Sequence, residues 1–239
     1  MFLARFIQYI QFEKRYSAHT VSAYQSDLDQ FIAFLSTSGQ PPTHPNEVSH
    51  HDIRNWMVSM MDDSLTARSI NRKIATLRKY FKFLLQEGVI ETNPSSKIIA
   101  PKIPKNLPVI VEDAKLSQML DSDDIFTDDF KGVRDKLVIE FLFGTGIRLA
   151  ELVGVKETDI NTYEHTVKVL GKRNKERIIP VNKELSNLLS LYLMLKKSEN
   201  FNNNSLTLIV TDKGATAYPK LIYLIVHKYL SYISTQNKK

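Results

Sequence analysis

The chain has 239 residues, 43% of them apolar, a formal net charge of +6 and no cysteine. At about 100–200 residues per domain, that length accommodates one or two domains with real hydrophobic cores. Disulfides and thiolate metal sites are excluded, and no apolar run approaches the roughly 18 residues of a membrane-spanning helix. The positive balance favours an anionic partner, either nucleic acid or an acidic membrane surface. The opening MFLARFIQYIQFEK is broken by Arg5 and lacks a small-residue cleavage site. It reads as an amphipathic helix and not as a signal peptide.

The first part of the chain is helical in pattern. Phe2, Phe6 and Ile10 share one face. Ser17 is placed to cap a second helix, in which Val21, Tyr24, Leu28, Phe31 and Leu35 recur at three- and four-residue steps. A third helix is predicted over 49–61. The fourth starts at Thr66, turns Ile70, Ile74, Leu77, Phe81 and Leu84 inward, and stops at Gly88. The stretch NPSSKIIAPKIPKNLP, 93–108, cannot continue a helix and favours extended backbone. It is predicted to be a linker between domains 1–92 and 109–239.

Beyond it, helices are predicted near 113–120, over the largely apolar 133–143, and over 148–153. The segment HTVKVLGKRNKERIIPV, 165–181, switches to strand patterning around a charged, glycine-containing turn, hence a hairpin. A helix at 184–196, a short strand at 206–210 and a helix at 219–233 complete the pattern. The expected fold is mainly α with a small β-hairpin or sheet.

Two stretches carry chemistry. Between Asp63 and Glu87 there is no acidic residue, but Arg68, Arg72, Lys73, Arg78, Lys79 and Lys82 lie there. At 100° per residue Arg68, Arg72, Lys79 and Lys82 gather opposite the apolar face. A single-sign face repels itself unless an anion neutralises it. A solvated surface is the plain alternative, but on a basic chain contact with DNA is favoured. Arg and Lys would then meet phosphates, and Asn71 or Arg72 base edges. The second stretch is GTGIRLAELVGV, 144–155. Gly144 is expected to close one helix in the left-handed conformation and Gly146 to add a second bend. Arg148 then stands at the next helix start, where its fork of donors suits a phosphate. Glu151, three residues on, can orient it; a simple surface ion pair is the alternative.

GTGIRLAEL resembles the first-arginine motif of tyrosine site-specific recombinases, the lambda-integrase family, and RDKLVIEFLFGTGIRLAELVGVKETDI extends the likeness. VKVLGKRNKERIIPV is similar to that family's catalytic-lysine hairpin, with Arg173 in place of its usual second glycine. YSAHTVSAYQSDLDQF and TARSINRKIATLRKYFKFLLQEGVIETNPSSKI resemble the core-DNA-binding domain of the Xer subgroup. The resemblance covers nearly the whole chain. It implies a four-helix, SAM-like DNA-binding domain followed by part of an α+β catalytic domain.

The resemblance also implies DNA cleavage by a tyrosine through a 3′-phosphotyrosyl link and a free 5′-hydroxyl, without metal or nucleotide cofactor. Arg148 would clamp the phosphate, Glu151 support the site, and Lys172 protonate the leaving oxygen, with Lys175 a rival in the same loop. The partners implied are double-stranded DNA and recombinase protomers in a tetrameric synapse, in the cytoplasm and away from membranes. The family's His-x-x-Arg box and nucleophilic tyrosine are not matched. HDIR at 51–54 sits in the wrong domain, and Tyr218, Tyr223, Tyr229 and Tyr232 lack the family's tyrosine context, with Tyr223 and Tyr229 looking like helix-packing residues. The expectation is a catalytically incomplete, C-terminally truncated, monomeric chain. A non-catalytic module that occupies recombination sites or pairs with intact recombinase is the alternative.

Overall fold

The computed structural model describes residues 2–37, 42–104, 112–122, 124–171, 175–201 and 206–235. The chain divides into two compact units, Met1–Leu107 and Pro108–Lys239.

In the first unit, α1 (Leu3–Gln8) runs into one wide π-helical turn, Tyr9–Glu13, closed by the Lys14 N–H donating to the Tyr9 carbonyl at 3.0 Å. It is followed by α2 (Ala18–Ser36), α3 (His50–Asp62) and α4 (Ala67–Gln86). Each of these starts where a hydroxyl can accept an orphan backbone N–H. Ser17 accepts from Thr20, Ser49 from Asp52 and Thr66 from Ser69, while the Asp52 carboxylate takes the Ser49 N–H to complete a capping box. Gly88, at φ +67°, ends α4 in the left-handed region. The α4 residues Ile70, Ile74, Leu77, Phe81 and Leu84 are all buried, against Leu28, Phe31 and Leu35 of α2 and Ile53, Trp56 and Met60 of α3. Tyr80 and Phe83 are buried too, each packing a ring against Phe6. The apolar arc of α4 is therefore wider than its repeat alone implies.

The segment assigned to a linker from residue 93 onward is partly structured. Pro94–Lys97 forms a short 3-10 turn capped by Asn93, and Ser95 and Ile98 are buried. Two α4 side chains tether residues 98–101: Arg78 Nη2 donates to the Ile98 carbonyl at 2.7 Å and Asn71 Nδ2 to the Pro101 carbonyl at 2.9 Å. Extended backbone next to proline leaves such carbonyls without ladder partners, and side chains supply the donors.

The second unit is built on α6 (Phe130–Thr145), with α5 (Asp113–Leu120), α7 (Leu149–Gly154), α8 (Lys183–Ser198) and α9 (Pro219–Thr235). Leu137, Val138 and Phe141 of α6 share one core with Leu185, Leu189 and Tyr192 of α8 and Ile222, Ile225 and Tyr229 of α9. The sheet is three-stranded and antiparallel: β1 (Ile160–Asn161), β2 (Thr166–Leu170) and β3 (Glu176–Pro180), in that order. Val167 and Val169 point into the core, and their cross-strand partners are Ile179 and Arg177. The expected strand at 206–210 is not a strand but two isolated bridges, Lys156 with Thr207 and Val210 with Thr216. The Tyr192 hydroxyl supports this segment, donating to the Leu208 carbonyl at 3.0 Å.

Arg134 and Asp135 of α6 are both buried. Arg134 donates through Nε and Nη2 to Asp135 at 3.1 and 2.8 Å and through Nη1 to Asp212. Tyr229 of α9 donates its hydroxyl to the other Asp135 oxygen at 3.3 Å. A buried guanidinium stays charged, so without that degree of satisfaction its burial would cost stability.

Candidate functional site

The turn after α6 differs in detail from its sequence reading. Gly144 is still helical. Gly146 is the residue at φ +62°, and its N–H donates to the Leu142 carbonyl at 3.0 Å. Arg148 comes two residues later as the N-cap of α7, in extended conformation. Its backbone N–H donates to Glu151 Oε2 at 2.8 Å and its Nη1 to Glu151 Oε1 at 3.2 Å. The Glu151 carboxylate is buried, its side chain 6% exposed, whereas the Arg148 side chain is 76% exposed.

A third group completes this corner. Arg177, on the inward-facing phase of β3, donates through Nη1 and Nη2 to both Glu151 oxygens, at 3.1 and 2.8 Å. With Arg177 first and the Arg148 N–H second, these donors pull the Glu151 carboxyl down to about 2. Glu151 is therefore a fixed anion that holds two guanidinium groups. Sequence reasoning missed Arg177. Its signal was the strand alternation itself, since Arg177 falls in step with Ile179 and Val181 on the side facing the core.

The hairpin turn meets the same corner. A methyl group on Gly171 would lie 2.9 Å from Arg177 Nη1 and 3.4 Å from Glu151 Oε1. The Gly171 N–H donates to the Lys175 carbonyl at 2.7 Å, closing the turn. Lys172, the expected proton donor, lies outside the described residues; Lys175 is exposed at the foot of β3. Among the tyrosines considered, Tyr229 is buried and bonded to Asp135, as a packing residue should be. Tyr223 is 56% exposed and its ring faces His227 at 5.6 Å, which corrects its reading as a packing residue.

On α4 the structure redistributes the basic residues. Arg68 and Lys82 are exposed, and Lys79 is half-buried with its ammonium 5.9 Å from the Tyr16 ring centre. Lys73 is not on the surface: it is buried, with Nζ 3.1 Å from Asp27 Oδ1 and 2.6 Å from Gln30 Oε1, and this corrects its place among the DNA-contacting candidates. Arg72 forks onto both Asp27 oxygens at 2.6 and 2.8 Å while remaining 52% exposed. Asn71 and Arg78 are held to the backbone carbonyls of Pro101 and Ile98. Exposed Arg68 and Lys82, with half-buried Lys79 between them, therefore form the open part of the stripe. Among the described residues no helix is long and apolar enough to cross a membrane, and no cluster of potential metal ligands is present.

Residues 111–236 match the phage integrase family, and residues 3–88 match the phage integrase N-terminal SAM-like domain. The tyrosine recombinase XerC of Oceanobacillus iheyensis is 32% identical over 231 residues, covering 95% of this chain and 74% of that protein. XerC of Staphylococcus saprophyticus is 34% identical over 209 residues, covering 87% and 69%. XerC of Bacillus licheniformis is 35% identical over 192 residues, covering 80% and 62%. The chain thus spans from 60% to 77% of the length of such curated relatives. Among solved structures, a lambda integrase (75–356) dimer bound to a COC′ core site matches with a TM-score of 0.67 at 18% identity, over 97% of this chain and 80% of that one. The Tn1549 transposon integrase (82–397) in complex with circular intermediate DNA matches with a TM-score of 0.65 at 18% identity, over 96% and 79%. At that identity the likeness is one of fold.

Proposed function

The chain belongs to the phage integrase family, and on that premise we propose that it acts in site-specific DNA recombination in the cytoplasm. In this reading the first unit holds duplex DNA through the open cations of α4, and the second presents Arg148 to a strand phosphate. The observation that carries it is the division of labour at Glu151. The carboxylate fixes Arg148 through its N–H and Nη1 and leaves most of the guanidinium in solvent. A fixed cation aimed outward, beside the exposed N-terminus of a helix, is suited to the charge that develops on a phosphate under attack.

Lys172 is read as the proton donor for the leaving 5′-oxygen from its register in the motif VKVLGKRNKERIIPV, which resembles the family's catalytic-lysine hairpin. The reaction would pass through a 3′-phosphotyrosyl bond, which conserves the energy of the cut strand for religation without metal or nucleotide. These 239 residues supply phosphate-binding groups, but none of the tyrosines near Tyr229 stands out as the nucleophile. The polypeptide is therefore read as a DNA-binding monomer that does not cleave, with Arg148, Glu151 and Lys172 as its catalytic-site groups. Tetrameric synapsis on two duplexes is assigned to complete protomers.

A duplex nicked beside the cut site traps any covalent adduct. The expected result is none, and a protein–DNA adduct resistant to denaturant overturns the inactivity. Duplex affinity is expected to fall by about 0.9 log units per log unit of salt for each phosphate engaged. A salt-independent affinity overturns the DNA-binding reading. The second reading, a module that occupies sites or pairs with intact recombinase, is favoured by the same combination of open cations and no evident nucleophile. It is tested by adding the chain to an intact recombinase and scoring recombinant product: a drop supports it and an unchanged yield removes it.

A further inference from the structure

Charge on the first unit is not centred where the spacing of basic residues puts it. Asp27 offsets one of the two positive charges in the middle of the α4 stripe by pairing with Arg72 and Lys73. Toward the C-terminal end of α4 the situation reverses. A small pocket of about 120 Å³ is lined by Tyr9, Lys14, Lys79, Lys82, Phe83 and Gln86. Three of those six side chains are lysines, and no carboxylate of the described residues lies within ion-pairing distance of any of their ammonium groups. The acidic residues nearest in sequence are Glu13 and Glu87, and Glu87 is paired with Arg5.

Lys14 does not come from α4. It is delivered by the π-helical turn, whose closing bond from Lys14 N–H to the Tyr9 carbonyl brings residue 14 over residue 9. Its ammonium lies 5.1 Å from the Tyr9 ring centre, within cation–π range, and the Tyr9 ring in turn packs on Phe83 at 4.8 Å. Lys79 lies 5.9 Å from the Tyr16 ring centre, and its hydrogen bond with the Tyr16 side chain raises its pKa. Two of the three ammonium groups thus have a tyrosine and not a carboxylate as their neighbour, which leaves their charge uncancelled.

The geometry points to a single-phosphate subsite for the DNA backbone at this pocket, formed by Lys14, Lys79 and Lys82 against the Tyr9 and Phe83 rings. Like charges gathered around so small a volume repel one another, and one anion relieves all three at once. Lysines suit such a site as point charges around a phosphate that requires no bidentate geometry. No wall of the pocket carries a negative charge to compete with the phosphate, and the Tyr9 hydroxyl and the Gln86 amide can each donate to it. This inference rests on the DNA-binding reading proposed for the first unit and adds to it both a location and a residue, Lys14, that lies outside the basic helix.

Sharing is what the experiment reads. Duplex affinity is measured across a salt series for the unaltered chain, Lys14→Gln, Lys82→Gln and the double variant. Three cations around one phosphate predict weaker binding in both single variants. The double variant's salt slope should fall by about 0.9 in total, the worth of one phosphate. A fall of about 1.8 in the double variant means two separate phosphates and overturns the subsite. So does unchanged affinity in Lys14→Gln while the unaltered chain binds normally, and either result leaves DNA binding itself standing. Lys14→Arg should retain the wild-type slope, since it keeps the charge. No binding by the unaltered chain at low salt overturns the DNA reading and this subsite together.

Discussion

Two carboxylates in this chain each hold a pair of cations, with opposite results. In the first unit, buried Asp27 takes Arg72 through both terminal nitrogens, Lys73 through its ammonium, and the Thr76 hydroxyl at 2.9 Å. Each terminal nitrogen of Arg72 is engaged, although its side chain stays 52% exposed, and Lys73 is sealed inside. In the second unit, Glu151 takes both terminal nitrogens of Arg177, which stays 40% exposed, but only Nη1 and the backbone N–H of Arg148. The same chemistry buries Lys73 in one place and aims Arg148 outward in the other. An arginine's availability is decided by how many of its donors the fold has claimed, and sequence spacing alone does not report that number.

The comparison can be broken most directly at Asp27. Asp27→Ala leaves the Lys73 ammonium buried with only Gln30 beside it, and the expected loss is about 3–5 kcal/mol of stability in the first unit. Trp56, the chain's one tryptophan and a member of that unit's core, provides a selective fluorescence readout in urea. A loss below about 1 kcal/mol would mean that Lys73 escapes to solvent and that the Asp27 centre is not a sealed one.

The Glu151 corner should respond less, because its arginines can rehydrate. Arg177→Gln is expected to destabilise the second unit, seen as faster amide exchange across β2 and β3. It should also raise the Glu151 carboxyl pKa, followed by carboxyl-selective NMR. If the Glu151 titration were unmoved, Arg177 would not be its principal donor. The acid response derives from the direction of the shift. The Glu151 pKa is depressed from 4.5 to about 2 in the folded chain. Its contribution to stability is therefore complete above pH 4.5 and is lost as pH falls toward 2. An acid-unfolding curve of the second unit should be shallower over that window in Arg177→Gln than in the unaltered chain.

The smallest change in stability is expected on the open part of α4. Lys82→Gln should alter folding by no more than about 0.5 kcal/mol while weakening duplex binding. Lys73→Gln should do the reverse, destabilising the first unit without changing the number of phosphates engaged. An equal loss of salt slope in the two variants would erase the distinction between claimed and open cations.

The helices were legible because their causes are local. Ser17, Ser49 and Thr66 announce their own caps, and the five apolar residues of α4 repeat at intervals that put them on one side. The Arg148–Glu151 relation was legible for the same reason, as it spans less than one helical turn. The unreadable part was tertiary. Asp27 and Lys73 are 46 positions apart, and nothing around Asp27 in YQSDLDQF distinguishes it from a solvent-facing carboxylate. Arg134 likewise opens an apolar run with no local sign that its partner Asp212 lies 78 positions on. The exchange of roles between Gly144 and Gly146 is subtler. Either glycine can adopt a positive φ, and the register of packing carries α6 as far as Thr145 before the turn is made.

The wide turn at Tyr9–Glu13 is also a phase-setting device. An ordinary helix advances about 100° per residue, so one additional residue within a turn rotates everything beyond it relative to everything before it by that amount. Removing exposed Gln11 there would restore regular winding while keeping Tyr9 and Lys14, yet the aromatic anchors upstream and the ammonium downstream would no longer share an azimuth. The N-terminal arm's electrostatic reach therefore depends on a count of residues as much as on their identity.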